Sequence, residues 1–200
     1  IDMDGGCYNR RILHIDLSSK DTWVEAPANS FYRDYGGGSG MGAYYLLKEM
    51  PRGIDPFSPQ NILTFFLGIP TGLPISGQSR MTATAKSPLT GGIGDSQCGG
   101  FFPAKLKQAG FDGIVIRGVS SHPVYLWLHD GLAELRDASH LWGKITGEVE
   151  QLIKEELGDP KVEILQIGPA GENLARLASI MNMCNRANGR TGLGAVMGSK

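Results

Sequence analysis

Apolar and polar positions alternate early in the chain. Leu13, Ile15 and Leu17 share one face and His14 and Asp16 the other, the two-residue period of a half-buried strand. Ser18-Ser19-Lys20 turns the chain, and Asp21–Glu25 can pair back as a hairpin. GGGSGMG (36–42) leads into AYYLLKEM, which predicts a short helix ending before Pro51; the proline-rich stretch 51–60 predicts a loop. Ile62–Leu67 is a continuous apolar run, short enough for a buried strand, and Met81–Ala85 is rich in β-favouring residues. GDSQCGG (94–100) reads as a glycine loop opening onto FFPAKLKQAG, a helix closed by Gly110. Gly113–Arg117 reads as a buried strand. Val124–His129 and Leu132–Asp137 flank Asp130-Gly131, a strong hairpin signal. Thr146–Leu157 has helical periodicity, with Thr146 as its cap and Gly158 and Pro160 at its end. Val162–Ile167 reads as a strand, Ala175–Met181 as strand or helix, and the Gly/Arg-rich tail as a loop that starts a helix.

Helices and strands mix without strict alternation, which predicts an α+β fold. Gly37-Gly38 precedes a helix and then a strand, and Gly99-Gly100 does the same, so a duplicated half-domain is expected. Residues 1–10 read as a ragged N-terminus and 11–200 as one domain. A net charge of −1 excludes a generic nucleic-acid coat or a polybasic membrane binder. No apolar run approaches the ~20 residues of a membrane span. Cys7, Cys98 and Cys184 lie far apart without a CxxC, which suggests a reducing, cytoplasmic setting.

Glycine changes the picture. It supplies 29 of 200 residues, about twice its usual share of ~7%. Three glycine-bearing segments also carry polar or basic residues: 68–80, ending in Arg80; 94–100; and 185–194, with Arg186 and Arg190. Converging backbone N–H groups favour anions, and arginine offers bidentate donors that fit phosphate. Segments of this kind meeting at one surface would hold a ligand with more than one phosphate. The standard nucleotide motifs fail: MGSK lacks the P-loop order, and GSGMGA follows a poor buried strand.

Several longer runs carry a resemblance: KSPLTGG (86–92), CGGFFPAKLKQAGFDGIVIRG (98–118), RDASHLWGK (136–144), IGPAGENLARLASIMN (167–182) and GRTGLGAVMGSK (189–200). In this order they resemble the N-terminal domain of tungsten-containing aldehyde ferredoxin oxidoreductases. The resemblance implies an α+β duplication on two β-sheets with short flanking helices. It implies a tungsten (or molybdenum) bis-pterin cofactor whose two phosphates are bridged by magnesium. By motif, the cofactor contacts fall on Arg80 (a pterin phosphate), Gly99 (the pterin), Gly100, and Arg186, Ala187, Gly189 and Arg190 (the second phosphate and magnesium site). The magnesium contacts, through backbone carbonyls, fall on Gln97 and Ala187. Gln97 stands where asparagine is more frequent and Cys98 where serine is; Asn188 and Thr191 stand where small residues are expected. The family's [4Fe–4S] cluster needs four cysteines, so its ligands and the proton-transfer residues are expected in further domains of a longer chain. Implied partners are the remainder of that chain and ferredoxin, and the resemblance allows a homodimer; no nucleic acid and no membrane are implied. Two other readings stand beside this one: a stand-alone, non-catalytic module for a phosphorylated small molecule, and a structural subunit whose loops merely pack.

The remaining chemistry-bearing residues read as structural. His14 is expected in solvent, His122 and His129 at the hairpin surface, and His140 in a hydrogen-bonded loop. Cys184 is read as buried, its nearness to Arg186 making a lowered pKa the alternative. Trp23, Trp127 and Trp142 read as core or half-buried anchors. Lys105, Lys107, Glu148, Glu150, Glu155 and Glu156 read as solvated helix surface.

Overall fold

A computed structural model describes residues 7–200, so most of the ragged-terminus reading of 1–10 lies outside the described residues. The strands are β1 (Ile12–Asp16), β2 (Asp21–Glu25), β3 (Leu63–Leu67), β4 (Met81–Lys86), β5 (Ile93–Cys98), β6 (Gly113–Arg117), β7 (Val124–His129), β8 (Leu132–Asp137), β9 (Leu165–Gln166), β10 (Ile180–Asn182) and β11 (Arg186–Asn188). The helices are α1 (Asn29–Tyr35), α2 (Gly38–Glu49), α3 (Phe102–Gln108), α4 (Thr146–Leu157), α5 (Pro169–Glu172) and α6 (Leu193–Gly198). The arrangement is α+β, with a six-stranded sheet ordered β2-β1-β6-β3-β4-β5, a three-stranded sheet β11-β10-β9 and the hairpin β7-β8. β1 and β6 run parallel; the other neighbours in the large sheet are antiparallel. Both glycine-pair echoes are present, α2 leading to β3 and α3 to β6, and β3 pairs with β6.

The large sheet is covered on both faces. Leu13, Ile15, Phe65, Ala83, Leu106, Ile180 and Val196 pack on one side; Ile12, Tyr32, Met41, Tyr45, Phe66 and Val115 pack on the other. Alternation in β1 therefore does not mean one wet face. His14, expected in solvent, is buried beside Tyr45 and stacked on Trp23. A smaller cluster of Val149, Ile153, Ala138, Leu141 and Ile164 seats α4.

GGGSGMG serves packing. A Cβ on Gly42 would collide with the Thr84 hydroxyl, and one on Gly38 would come within 3.0 Å of Thr82, so α2 lies close on β4. The helix accordingly begins at Gly38, earlier than its apolar residues suggest. Helix α1 has no counterpart in the sequence reading. Thr146 is the first helical residue rather than the cap, which falls on Ile145 with no side-chain cap bond. Val162–Ile167 yields only the two-residue β9, and Ala175–Met181 only the start of β10. Lys107 is not solvated: its ammonium is 2.7 Å from Asp112 and donates to the Cys7 carbonyl.

Candidate phosphate-binding cleft

β5, read from the sequence as a glycine loop, is a strand at the edge of the large sheet. Its residues are poor strand formers, and its pairing with β4 over Met81↔Cys98 to Lys86↔Ile93 holds it extended. The two-residue period then sorts its side chains. Gly94, Ser96 and Cys98 are buried, whereas Asp95 is partly exposed and Gln97 exposed. At its end Gly99-Gly100 leads into α3.

The third segment folds back on this edge. β10 and β11 form a hairpin, and Asn188 Nδ2 donates to the Ser96 carbonyl at 2.5 Å. The Arg190 N–H donates to the Ser96 hydroxyl at 3.0 Å, and Asn182 Nδ2 donates to the Gly99 carbonyl at 3.2 Å. The first segment arrives from the other side, with the Ser79 hydroxyl donating to the Gly100 carbonyl at 2.6 Å. Thr71, buried, accepts the Arg80 N–H at 3.3 Å and so braces the end of that loop.

Between β5 and the β11 segment lies a cleft of about 600 Å³ lined by Asp95, Ser96, Gln97, Ala187, Gly189 and Arg190. Arg80 and Arg186 flank the adjoining Gly99-Gly100: a Cβ on Gly99 would stand 3.6 Å from Arg80 Nη1, and one on Gly100 3.2 Å from Arg186 Cγ. All eight residues assigned by motif are thus brought to one end of the sheet. Arg80, Arg186, Ala187 and Arg190 are exposed. No side-chain hydrogen bond or ion pair ties the three guanidinium groups to a partner among the described residues.

Gly99 needs no special backbone conformation, and a Cβ there would meet only ordinary contacts, the Ser79 carbonyl at 3.4 Å being the nearest. The fold itself therefore does not require glycine at 99. The donor set has the chemistry of a phosphate site. Asp95 and Ser96 were not singled out from the sequence. Asp95 lines the same cleft as Arg190, an acidic residue that suits a hard cation beside phosphate better than phosphate alone. The residues present fit a phosphate-bearing ligand with a divalent ion.

Cys98 is buried and its thiol is pushed up to about 11 by burial, so it is a neutral packing group. Cys184, expected to be buried, is exposed; its Sγ lies 3.0 Å from Glu150 Oε2, and that carboxylate raises rather than lowers its pKa. Glu150 also pairs with Lys154, and Glu156 accepts bonds from Tyr125 and His140, so this acidic helix face is partly engaged. Trp23 and Trp142 are nearly half exposed. No group of three or more His, Cys, Asp or Glu that could hold a metal occurs among the described residues. None of their helices is long and apolar enough to cross a membrane.

The model of a family described as "Aldehyde ferredoxin oxidoreductase, N-terminal domain" matches residues 12–200. A tungsten-containing aldehyde ferredoxin oxidoreductase of Pyrococcus abyssi is 48% identical over 193 residues, covering 96% of this chain and 32% of that protein. An aliphatic sulfonate oxidoreductase, WOR-like subunit, of Pyrococcus furiosus is 36% identical over 208 residues, covering 96% of this chain and 33% of that protein. Among solved structures, the active site complex BamBC of benzoyl coenzyme A reductase superposes with a TM-score of 0.94 at 38% identity, covering 98% of this chain and 30% of the other. The chain therefore spans about a third of the length of the curated relatives it matches, and it belongs to the aldehyde ferredoxin oxidoreductase family, of which it carries the N-terminal domain.

Proposed function

We propose that this domain binds the phosphate tails of a tungsten (or molybdenum) bis-pterin cofactor in an oxidoreductase that converts aldehydes to carboxylic acids and passes electrons to ferredoxin. The observation that carries this reading is the convergence on one end of the sheet of three arginines, Arg80, Arg186 and Arg190, whose side chains have no partner among the described residues. Arg190 serves the cleft, and Arg80 with Arg186 serves the Gly99-Gly100 saddle. Two such groups of donors suit a ligand with two phosphates. Each Arg–phosphate hydrogen bond contributes roughly 1.5–3 kcal/mol. Gly99 and Gly189 leave room for the ligand to approach the backbone. Gln97 and Ala187 would offer main-chain oxygen to a magnesium ion between the phosphates, with Asp95 adding negative charge beside it. The bound group would supply two-electron redox chemistry, oxidising an aldehyde with water; the residues of this chain anchor it and keep its orientation. A [4Fe–4S] cluster, the substrate pocket and the proton-transfer groups are assigned to further domains of a longer chain, with a cytoplasmic location and a homodimer as the accompanying expectations.

The test is made in the complete enzyme. Arg80→Ala and Arg190→Ala lower tungsten and pterin content, read by elemental analysis and by pterin fluorescence after release. Full occupancy in both variants overturns the reading.

A further inference from the structure

Two buried carboxamides tie the cleft together, and neither belongs to the arginine and glycine set. Asn182 and Asn188 are both 0% exposed. Asn182 Nδ2 donates to the Gly99 carbonyl at 3.2 Å and lies 3.4 Å from Cys98 Sγ. Asn188 Nδ2 donates to the Ser96 carbonyl, and the Ser96 hydroxyl in turn receives the Arg190 N–H. A peptide unit is planar, so fixing its carbonyl fixes the N–H of the next residue. The units 96–97 and 99–100, on either side of Gln97 and Cys98, are both locked in this way. The main chain of Arg190 is tied to the same strand.

Both carboxamides are only half satisfied. Asn182 Oδ1 and Asn188 Oδ1 are buried without a hydrogen-bond partner among the described residues. For the fold alone this is a poor solution, because a buried acceptor without a donor costs stability that an apolar side chain would not. Such departures concentrate where function requires them. What the molecule uses at both positions is the Nδ2 donor, one spent on Ser96 in the cleft lining and the other on the adjoining Gly99.

We propose that Asn182 and Asn188 are positioning residues for the phosphate-bearing cofactor. They act through β5, the Gly99-Gly100 saddle and Arg190, holding these in the one register that grips the ligand. The proposal rests on the reading given under Proposed function. It concerns side chains that do not touch the ligand.

Asn182→Leu and Asn188→Leu keep the side-chain size without charge and remove the donors; Asn182→Ala and Asn188→Ala provide a second pair. In the complete, metal-loaded enzyme, tungsten release is followed in a chelating buffer below the unfolding temperature, alongside far-UV circular dichroism. Each folded variant is expected to release tungsten about tenfold faster than the parent, the effect of one lost hydrogen bond's worth of positioning. Combining Asn188→Leu with Arg190→Ala is expected to give less than the product of the two single effects, because one acts through the other. Release at the parent rate overturns the proposal. So does loss of tungsten only together with unfolding, or failure of both replacements at a position to fold, since the asparagines would then be fold staples. If Arg80→Ala and Arg190→Ala lose tungsten while the asparagine variants keep it, this proposal alone fails; if the arginine variants also keep it, the cofactor reading falls with it.

Discussion

Two regions of the large sheet treat their arginines in opposite ways. At the β2 side, Arg117 donates to Glu49 at 2.5 and 2.8 Å, lies over the Trp23 ring and sits 3.0 Å from His14 Nδ1. Tyr45 closes the network by donating to Glu25, whose Oε2 is 2.8 Å from His14 Nε2. At the β5 side, Arg80, Arg186 and Arg190 have no such partners among the described residues, although the backbone around them is heavily braced. The difference separates two uses of one residue type. An arginine whose donors are consumed by the fold adds stability; one held in place by its main chain, with a free fork, is available to a ligand.

The sharpest way to break this contrast is to remove one arginine from each region. Arg80→Ala and Arg190→Ala in the complete enzyme should each lower cofactor affinity by about tenfold or more, with unfolding free energy of the cofactor-free protein within about 0.5 kcal/mol of the parent. Arg117→Ala should do the reverse. It strands Glu49 and uncovers Trp23, costing roughly 1–3 kcal/mol by denaturant titration, while tungsten per folded molecule stays at the parent level. Equal effects on stability and binding in both regions would dissolve the distinction.

A smaller effect sharpens the β2 side. Burial, and then Arg117, lower the pKa of His14 below 6.5, and Glu25 opposes them incompletely. The folded state therefore resists a proton that the unfolded chain accepts. Stability is fully present above pH 6.5 and is lost as pH falls below it, with a slope of at most about 1.4 kcal/mol per pH unit. His14→Gln should flatten that part of the pH–stability curve; an unchanged slope would remove His14 from the account. The smallest effect is expected at Thr146→Ala, within about 0.5 kcal/mol, against the ~1 kcal/mol of a true helix cap. A loss of that larger size in thermal melting would restore Thr146 as a cap.

Legibility followed the range of the interactions involved. Gly113–Arg117, the hairpin strands 124–129 and 132–137 and helix 146–157 were readable to the residue, because apolar period and turn chemistry are local signals. Arg80, Arg186 and Arg190 were legible as a kind of chemistry, basic residues beside glycine. His14 was misread because its strand alternates while both faces of its sheet are covered. β5 was misread because Gly, Asp, Ser and Gln do not favour strands, and only its six-pair ladder with β4 makes it one. Asp95, Ser96, Asn182 and Asn188 carried no local signal, since their roles depend on partners as far as 94 positions away.

By itself the chain determined its α+β class, most of its strands and helices, and the presence of glycine-bearing basic segments, because these follow from periods and turn residues within a few positions. Only the tertiary structure decided that three such segments share one end of a sheet, which arginines there have no partner among the described residues, and which buried amides brace the backbone between them. Those outcomes depend on strand order and on hydrogen bonds between distant parts of the chain, and no local pattern encodes either.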